Sequence, residues 1–329
     1  MNNGTAIQTI FFFSFRTMRQ GEYFLKNKYN IYILAMILNK SGYFWKQNII
    51  LYLMKNIFCL FLIAISFGAQ SQYYYKDIVG TREANDLIAS YKKANLRSVE
   101  IISIEANGSP SKDFRIVQQF DLPQRVLRTQ TKNQAETSVL STYFNEMDKI
   151  NKTVDSSGFL ANTTNYSYSP NGLLQSLSSL AVDTSRGLKE SEEHTWQYNA
   201  EGKPVKMLRS INNAPAMEIT FEYDEDGNVA EEIWKKKGVE MDRIFYYYND
   251  QNQLTDIVRF NKKAGRLLPD FMFEYSQEGQ LIQKIAVPVN SLDYQIWRYQ
   301  YNDQGLKTRE VLFDRDKQIV GKIEYRYQF

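Results

Sequence analysis

His194 is the sole histidine of this 329-residue chain, and it directly follows Glu192-Glu193. An imidazole beside carboxylates is what a Ser-His-acid relay needs, but no G-x-S-x-G turn accompanies it. One histidine also cannot build a multi-histidine metal site. The sequence therefore places His194 in an exposed loop, at the end of the longest segment between repeats, roughly Asp183 to Glu193. Glu231-Glu232 and Asp242 offer the paired acids that glycoside hydrolysis sets on either side of a bond. Acids are common on wet strand faces, however, and nothing singles these out. Asp224-Glu225-Asp226-Gly227-Asn228 resembles a calcium loop, which needs Gly at its sixth position and Glu at its twelfth; counted from Asp224 these are Val229 and Lys235. Hairpin-turn chemistry explains that segment better. Lys235-Lys236-Lys237-Gly238 reads as the tip of another hairpin. No catalytic set is complete, and no enzymatic activity, metal or cofactor is expected.

Those residues are held in a frame that the aromatics define. A motif, aromatic-x-Tyr-[Asn/Asp/Ser]-x-x-Gly-x-apolar, recurs with anchors at Phe120, Phe144, Tyr168, Tyr198, Tyr223, Tyr248, Tyr275, Tyr301 and Tyr327. The spacings are 24, 24, 30, 25, 25, 27, 26 and 26 residues. A period in the twenties marks stacked supersecondary units. Seven copies carry two rings at i and i+2: Tyr166/Tyr168, Trp196/Tyr198, Phe221/Tyr223, Tyr246/Tyr248, Phe273/Tyr275, Tyr299/Tyr301 and Tyr325/Tyr327. Alternation along a strand sends both rings of a pair to one face. The residue between them is polar in every copy except at Tyr247. Such strands are dry on one side and wet on the other, as in antiparallel sheets. Asn199, Asp224, Asn249, Ser276 and Asn302 start the turns, and Gly202, Gly227, Gly279 and Gly305 follow three residues later. Asn252 takes the glycine's place once, because Asn tolerates positive φ next best. The copies at Phe120 and Phe144 lack both the glycine and the second ring. The expectation is an all-β antiparallel meander of ~25-residue hairpin repeats. Whether it stays open, folds over or closes is not written in the spacing. Tyr247, turned outward where other copies place polar groups, is the one candidate ligand-binding residue, a platform for a sugar ring.

The N-terminus reads as a separate matter. Met54-Lys55-Asn56, the apolar run Ile57 to Gly68 and the exit Ala69-Gln70-Ser71 form a secretory signal peptide, with a cut before Gln72. Residues 1–53 are then an upstream extension, 54–71 the signal peptide, 72–113 an N-terminal cap and 114–329 the hairpin array. Residues 1–71 hold seven Lys/Arg and one Glu, so 33 basic and 36 acidic groups remain. The net charge of +3 becomes about −3, and no nucleic-acid footprint is expected. Cys59 lies in the signal segment, leaving no thiol for disulfides or metal ligation. In 72–113, Thr81 is expected to cap a helix running to about Lys93, with a strand over Val99–Glu105 and a turn at Asn107-Gly108. This cap should cover the first open edge of the array, since exposed strand edges invite aggregation.

From Tyr166 to Phe329 the Tyr-[Asn/Asp]-x-x-Gly-x-Leu unit with its preceding aromatic resembles the YD repeats of bacterial Rhs-type proteins. That resemblance implies a β-sheet shell and an exported setting, with carbohydrate binding in some members. The spacing here is longer, and Asn or Ser often replaces Asp. The expected function is that of an exported, non-enzymatic repeat protein of the bacterial envelope (periplasm, outer surface or secreted), acting as a binding or scaffold surface. A carbohydrate-binding protein of a polysaccharide-handling system is the alternative, and a hydrolase built on Glu231/Glu232 or His194 the second. The expected partner is an envelope protein or polysaccharide, with no nucleic acid and no stable membrane span after cleavage.

Overall fold

The computed structural model describes residues 72–105, 108–133, 136–288 and 293–329. The upstream extension, the signal peptide and Asn107 of the expected turn lie outside the described residues. A helical segment opens the described chain: one π-helical stretch, Tyr74–Val79, runs into α1 (Gly80–Lys93). Eighteen strands follow. The first six are β1 (Ser98–Ile104), β2 (Pro110–Asp121), β3 (Val126–Lys132), β4 (Thr137–Phe144), β5 (Ile150–Ser157) and β6 (Leu160–Tyr168). Next come β7 (Leu174–Asp183), β8 (Leu188–Tyr198), β9 (Pro204–Ile211), β10 (Met217–Tyr223), β11 (Val229–Lys236) and β12 (Val239–Tyr248). The last are β13 (Leu254–Asn261), β14 (Arg266–Tyr275), β15 (Leu281–Ala286), β16 (Gln295–Tyr301), β17 (Lys307–Phe313) and β18 (Ile319–Gln328).

Each strand pairs antiparallel with its neighbours in sequence, and β18 closes on β1 with Val99 opposite Tyr327 and Ile101 opposite Tyr325. The fold is therefore an all-β antiparallel meander, as expected, and closed. The expected cap on an open edge is replaced by another arrangement: β1 is a wall strand paired on both sides, so no edge is left there to cover. Instead, α1 and the π-helical stretch lie against the ring-bearing faces of strands from all around the barrel. Tyr73 and Tyr75 pack with Trp196, Met207, Trp234 and Phe273, whereas Ile88 and Tyr91 pack with Ile101, Ile116, Phe144 and Tyr325. A helix in contact with both halves of a closed ring occupies its lumen. Eighteen strands make a ring too wide for side chains alone to fill, and the helix supplies the missing core.

The repeat motif dictates local form. In β8 the inward Glu192, His194 and Trp196 are buried while Glu193, Thr195 and Gln197 are exposed. At the turns, Asn199 Oδ1 accepts the N–H of Glu201 and of Lys203, and Gly202 sits at φ 78°. Asn252 adopts φ 57° as expected, and Asp148 does the same at φ 57° in the turn after Phe144. That explains how the Phe144 copy turns without glycine. A register shift accompanies the second ring at Tyr168, Tyr198, Tyr223, Tyr248, Tyr275 and Tyr301.

One repeated contact was not legible in the spacing. Each anchor tyrosine donates its hydroxyl to the carbonyl of the residue that restarts the chain after the preceding turn. Tyr168 reaches Ile150, Tyr198 Leu174, Tyr223 Pro204, Tyr248 Val229, Tyr275 Leu254, Tyr301 Leu281 and Tyr327 Lys307. The acceptor is always the first residue of its strand, so seven latches tie successive repeats along one rim. Tyr275→Phe, which removes only the hydroxyl, is expected to cost about 0.5–1.5 kcal/mol in urea denaturation. An unchanged midpoint would show that water serves the Leu254 carbonyl equally well.

Candidate functional site: the plug and its seat

The helix N-terminus is held by a wall residue far along the chain. An N-terminal turn leaves backbone N–H groups without intrahelical partners and favours an anion nearby. Thr81 does not cap it, contrary to expectation, because the helical segment begins earlier. Glu232 of β11 does so from across the lumen. Its Oε1 accepts the N–H of Tyr73 at 2.9 Å and its Oε2 that of Tyr74 at 2.9 Å. Trp234 Nε1 and the Tyr246 hydroxyl also donate to it, each at 2.6 Å. Four donors fill the acceptor capacity of one carboxylate. Burial pushes the Glu232 pKa up, against these donors, which favour the charged form.

Next to this seat lies a second cluster. His194 Nδ1 is 2.6 Å from Asp77 Oδ2 on the helix, and its Nε2 is 2.9 Å from Glu192 Oε1. Arg209 Nε donates to the same Glu192 oxygen at 2.5 Å, and Trp196 Nε1 to Asp77 Oδ2 at 3.2 Å. Burial works against a charged imidazole here, but the two carboxylates overcome it and raise His194 to about 9. Burial likewise disfavours the Glu192 charge, and His194 and Arg209 outweigh it, lowering Glu192 to about 2. His194 is thus no exposed loop residue; it is fully buried on β8, which already begins at Leu188. Both its nitrogens are engaged by acids, so neither is left to take a proton from a nucleophile.

The paired acids do not converge. Glu231 and Glu232 are consecutive on a strand and so face opposite ways. Glu231 points outward and pairs with Arg243, while Glu232 points inward. Asp242 lies 3.8 Å from Arg259, which also holds Asp270. The calcium-like segment is a turn, with Asp224 Oδ1 accepting the Asn228 N–H at 2.7 Å. Among the described residues no group of His, Cys, Asp and Glu is arranged to hold a metal ion.

Tyr247 is half exposed on the outer wall, between Phe245 and a cross-strand Asp256. The nearest exposed ring on the adjoining strand, Phe260, sits four residues further along β13, about 13 Å away. A cleft of about 820 Å³ opens elsewhere, at the rim of tyrosine turns, between Arg97, Phe120, Asp121, Arg128 and Phe329.

Motif spacing does not single out Tyr73, Tyr74, Tyr75 or Asp77. The available signal was the run of three adjacent tyrosines. Successive rings on a helix point in different directions and need walls on several sides. Tyr73 meets His194 and Trp234, Tyr74 meets Phe221 and Tyr246, and Tyr75 meets Phe271 and Phe273.

The outer wall has a different chemistry. Cross-strand neighbours there include Glu100 with Arg115, Lys206 with Glu218, Arg309 with Glu324, and Gln283 with Arg298. Among the described residues no helix is long and apolar enough to cross a membrane.

Fold and site together define a closed antiparallel β-barrel plugged by its own helix. No family model and no curated protein matches the chain. Among solved structures it is similar to a chain of the crystal structure of TcdB2-TccC3-Cdc42, at 12% identity and TM-score 0.29, covering 65% of this chain and 11% of that one. A porin-like protein from Bacteroides uniformis is similar at 11% identity and TM-score 0.34, with 71% of this chain and 96% of that chain covered. A Photorhabdus luminescens Tc holotoxin pore is similar at 8% identity and TM-score 0.26, over 71% of this chain and 17% of that one. The chain thus spans about a tenth of the length of the first of these.

Proposed function

We propose that the barrel is an exported, non-enzymatic binding or scaffold surface of a bacterial cell envelope. The observation that carries this reading is the division of charge between its faces. Inward Glu232 and His194 seat the helical segment, with Glu192 and Arg209 behind His194, while the outer wall carries ion pairs at mid-strand. On a lipid-facing wall each Arg or Lys at the midplane would cost roughly 2–4 kcal/mol, so Arg309, Arg298 and Lys206 suit water. The Rhs-type resemblance supports the exported setting and a repeat-built shell, here closed around the chain's own helix. After expression and export, the protein should be released from membranes by alkaline carbonate and give no conductance in planar bilayers. A carbonate-resistant, conducting species would reverse the reading.

The exposure of Tyr247 supports a second reading, glycan binding on the outer wall. Tyr247→Ala should then lower affinity for envelope polysaccharide at least tenfold, as expected where ring stacking contributes ~1.5 kcal/mol; unchanged affinity removes this role.

A further inference from the structure

The rim opposite the tyrosine turns carries a different surface. Hairpin β11/β12 ends in Lys235-Lys236-Lys237-Gly238, and the adjoining hairpin β13/β14 ends in Lys262-Lys263-Ala264-Gly265-Arg266. Strands β12 and β13 pair side by side, Ile244 opposite Arg259, which brings the two tips together. Across residues 235–241 and 260–268 there are six basic side chains and one acid, Glu240, which is bound to Arg243. Beside these bases stand Val239, Met241, Phe260 and Leu267, which remain 46 to 64% exposed. Phe260 and Leu267 face each other across β13 and β14. Large apolar side chains left in water at a hairpin tip need a reason, and bases around them narrow it.

We propose that this rim docks the barrel onto an anionic membrane surface, the lysines and Arg266 meeting lipid phosphates while Met241, Phe260, Val239 and Leu267 enter the headgroup layer. Charge complementarity with an anionic leaflet selects that occupant. Apolar side chains at the same level supply the shallow insertion that lets a peripheral protein stay bound. A nucleic acid would use the bases and could stack on Phe260, but it offers nothing to Val239, Met241 and Leu267. The inference rests on the water-facing wall proposed above, and its test is separate: peripheral docking responds to salt and headgroup charge, whereas spanning is read by carbonate extraction and conductance.

Sedimentation of the full chain with phosphatidylglycerol/phosphatidylcholine vesicles, against phosphatidylcholine alone, tests it. Any contribution from the apolar segment before Gln72 is common to all variants, so differences between them read the rim. Binding should favour the anionic vesicles and fall as sodium chloride rises from about 50 to about 500 mM, where screening shortens to a few ångströms. Charge reversal at Lys236, Lys237, Lys262 and Lys263 to Glu should lower partition about a hundredfold or more, since each base contributes roughly fivefold at such a surface. Met241→Ser with Phe260→Ser should lower it at least tenfold, through lost insertion. Equal binding to neutral and anionic vesicles, or charge-reversed protein that binds as wild type, overturns the proposal. So does capture of duplex DNA without vesicle binding, which would assign the bases to nucleic acid. The seven basic residues before Gln72 add a salt dependence of their own, so the rim is read from the difference between the wild-type and charge-reversed titrations, on variants whose circular dichroism matches wild type.

Discussion

Glu232→Ala is expected to cost about 3–5 kcal/mol of stability, among the largest effects of a single substitution in this protein. Truncation removes the acceptor for four donors at once: the Tyr73 and Tyr74 amides, the Trp234 indole and the Tyr246 hydroxyl. A buried donor left without a partner costs about 1–3 kcal/mol, and water entering the vacated space recovers part of that. Glu232→Gln keeps one acceptor oxygen and turns an N–H₂ toward the other donors, so roughly half the loss should remain. Urea denaturation measures both. Hydrogen exchange locates the effect, because the Tyr73 and Tyr74 amides should exchange faster while β-ladder amides near Ile101 stay protected. A loss below about 1 kcal/mol for Glu232→Ala would show that the ring contacts hold the helix unaided.

His194 should make stability fall on the alkaline side. Its folded-state pKa, raised from 6.5 to about 9, means that the native barrel binds this proton more tightly than the unfolded chain does. The contribution is complete below about pH 6.5 and disappears as pH rises through about 9. A shift of that size corresponds to roughly 3 kcal/mol. Glu192 acts with the opposite sign: its stabilisation is present above 4.5 and is lost as pH falls toward about 2. Glu232 and Asp270, both raised by burial, soften that acid limb, because protonating them favours the folded state. Urea midpoints should slope downward for the wild type from about pH 6.5 to about 8, above which Lys284, lowered to about 8 by burial, acts with the opposite sign. His194→Gln should flatten that slope and lower the plateau by about 3–5 kcal/mol, since Asp77 and Glu192 would face each other without the imidazolium. A wild-type slope retained in His194→Gln would move the titration elsewhere.

The elements themselves were legible in the residues. Paired rings at i and i+2 with a polar residue between them specify a strand and its dry face. An Asn or Asp followed by Gly three residues on specifies the turn, and Asn252 behaved as its chemistry requires. The site was hardly legible at all. Glu231 and Glu232 looked like a pair because they are adjacent, although strand alternation already put them on opposite faces. His194 looked like a loop residue because Glu190 to Glu193 is polar. An alternating strand that buries Glu192 and His194 against a charged partner carries the same letters as a wet segment. The partner that makes those positions dry is Asp77, 117 residues away.

The sequence by itself determined hairpins, their turns, the ring-bearing face and the period, since each depends on residues within a few positions of one another. Only the tertiary structure decided that the row closes, β18 finding β1, and that a helix fills the space inside. Closure depends on twist accumulated over eighteen strands, and no single repeat encodes it. The seat of the helix depends on Glu232 meeting amides 159 and 158 residues before it, a proximity that exists only once the wall has come round.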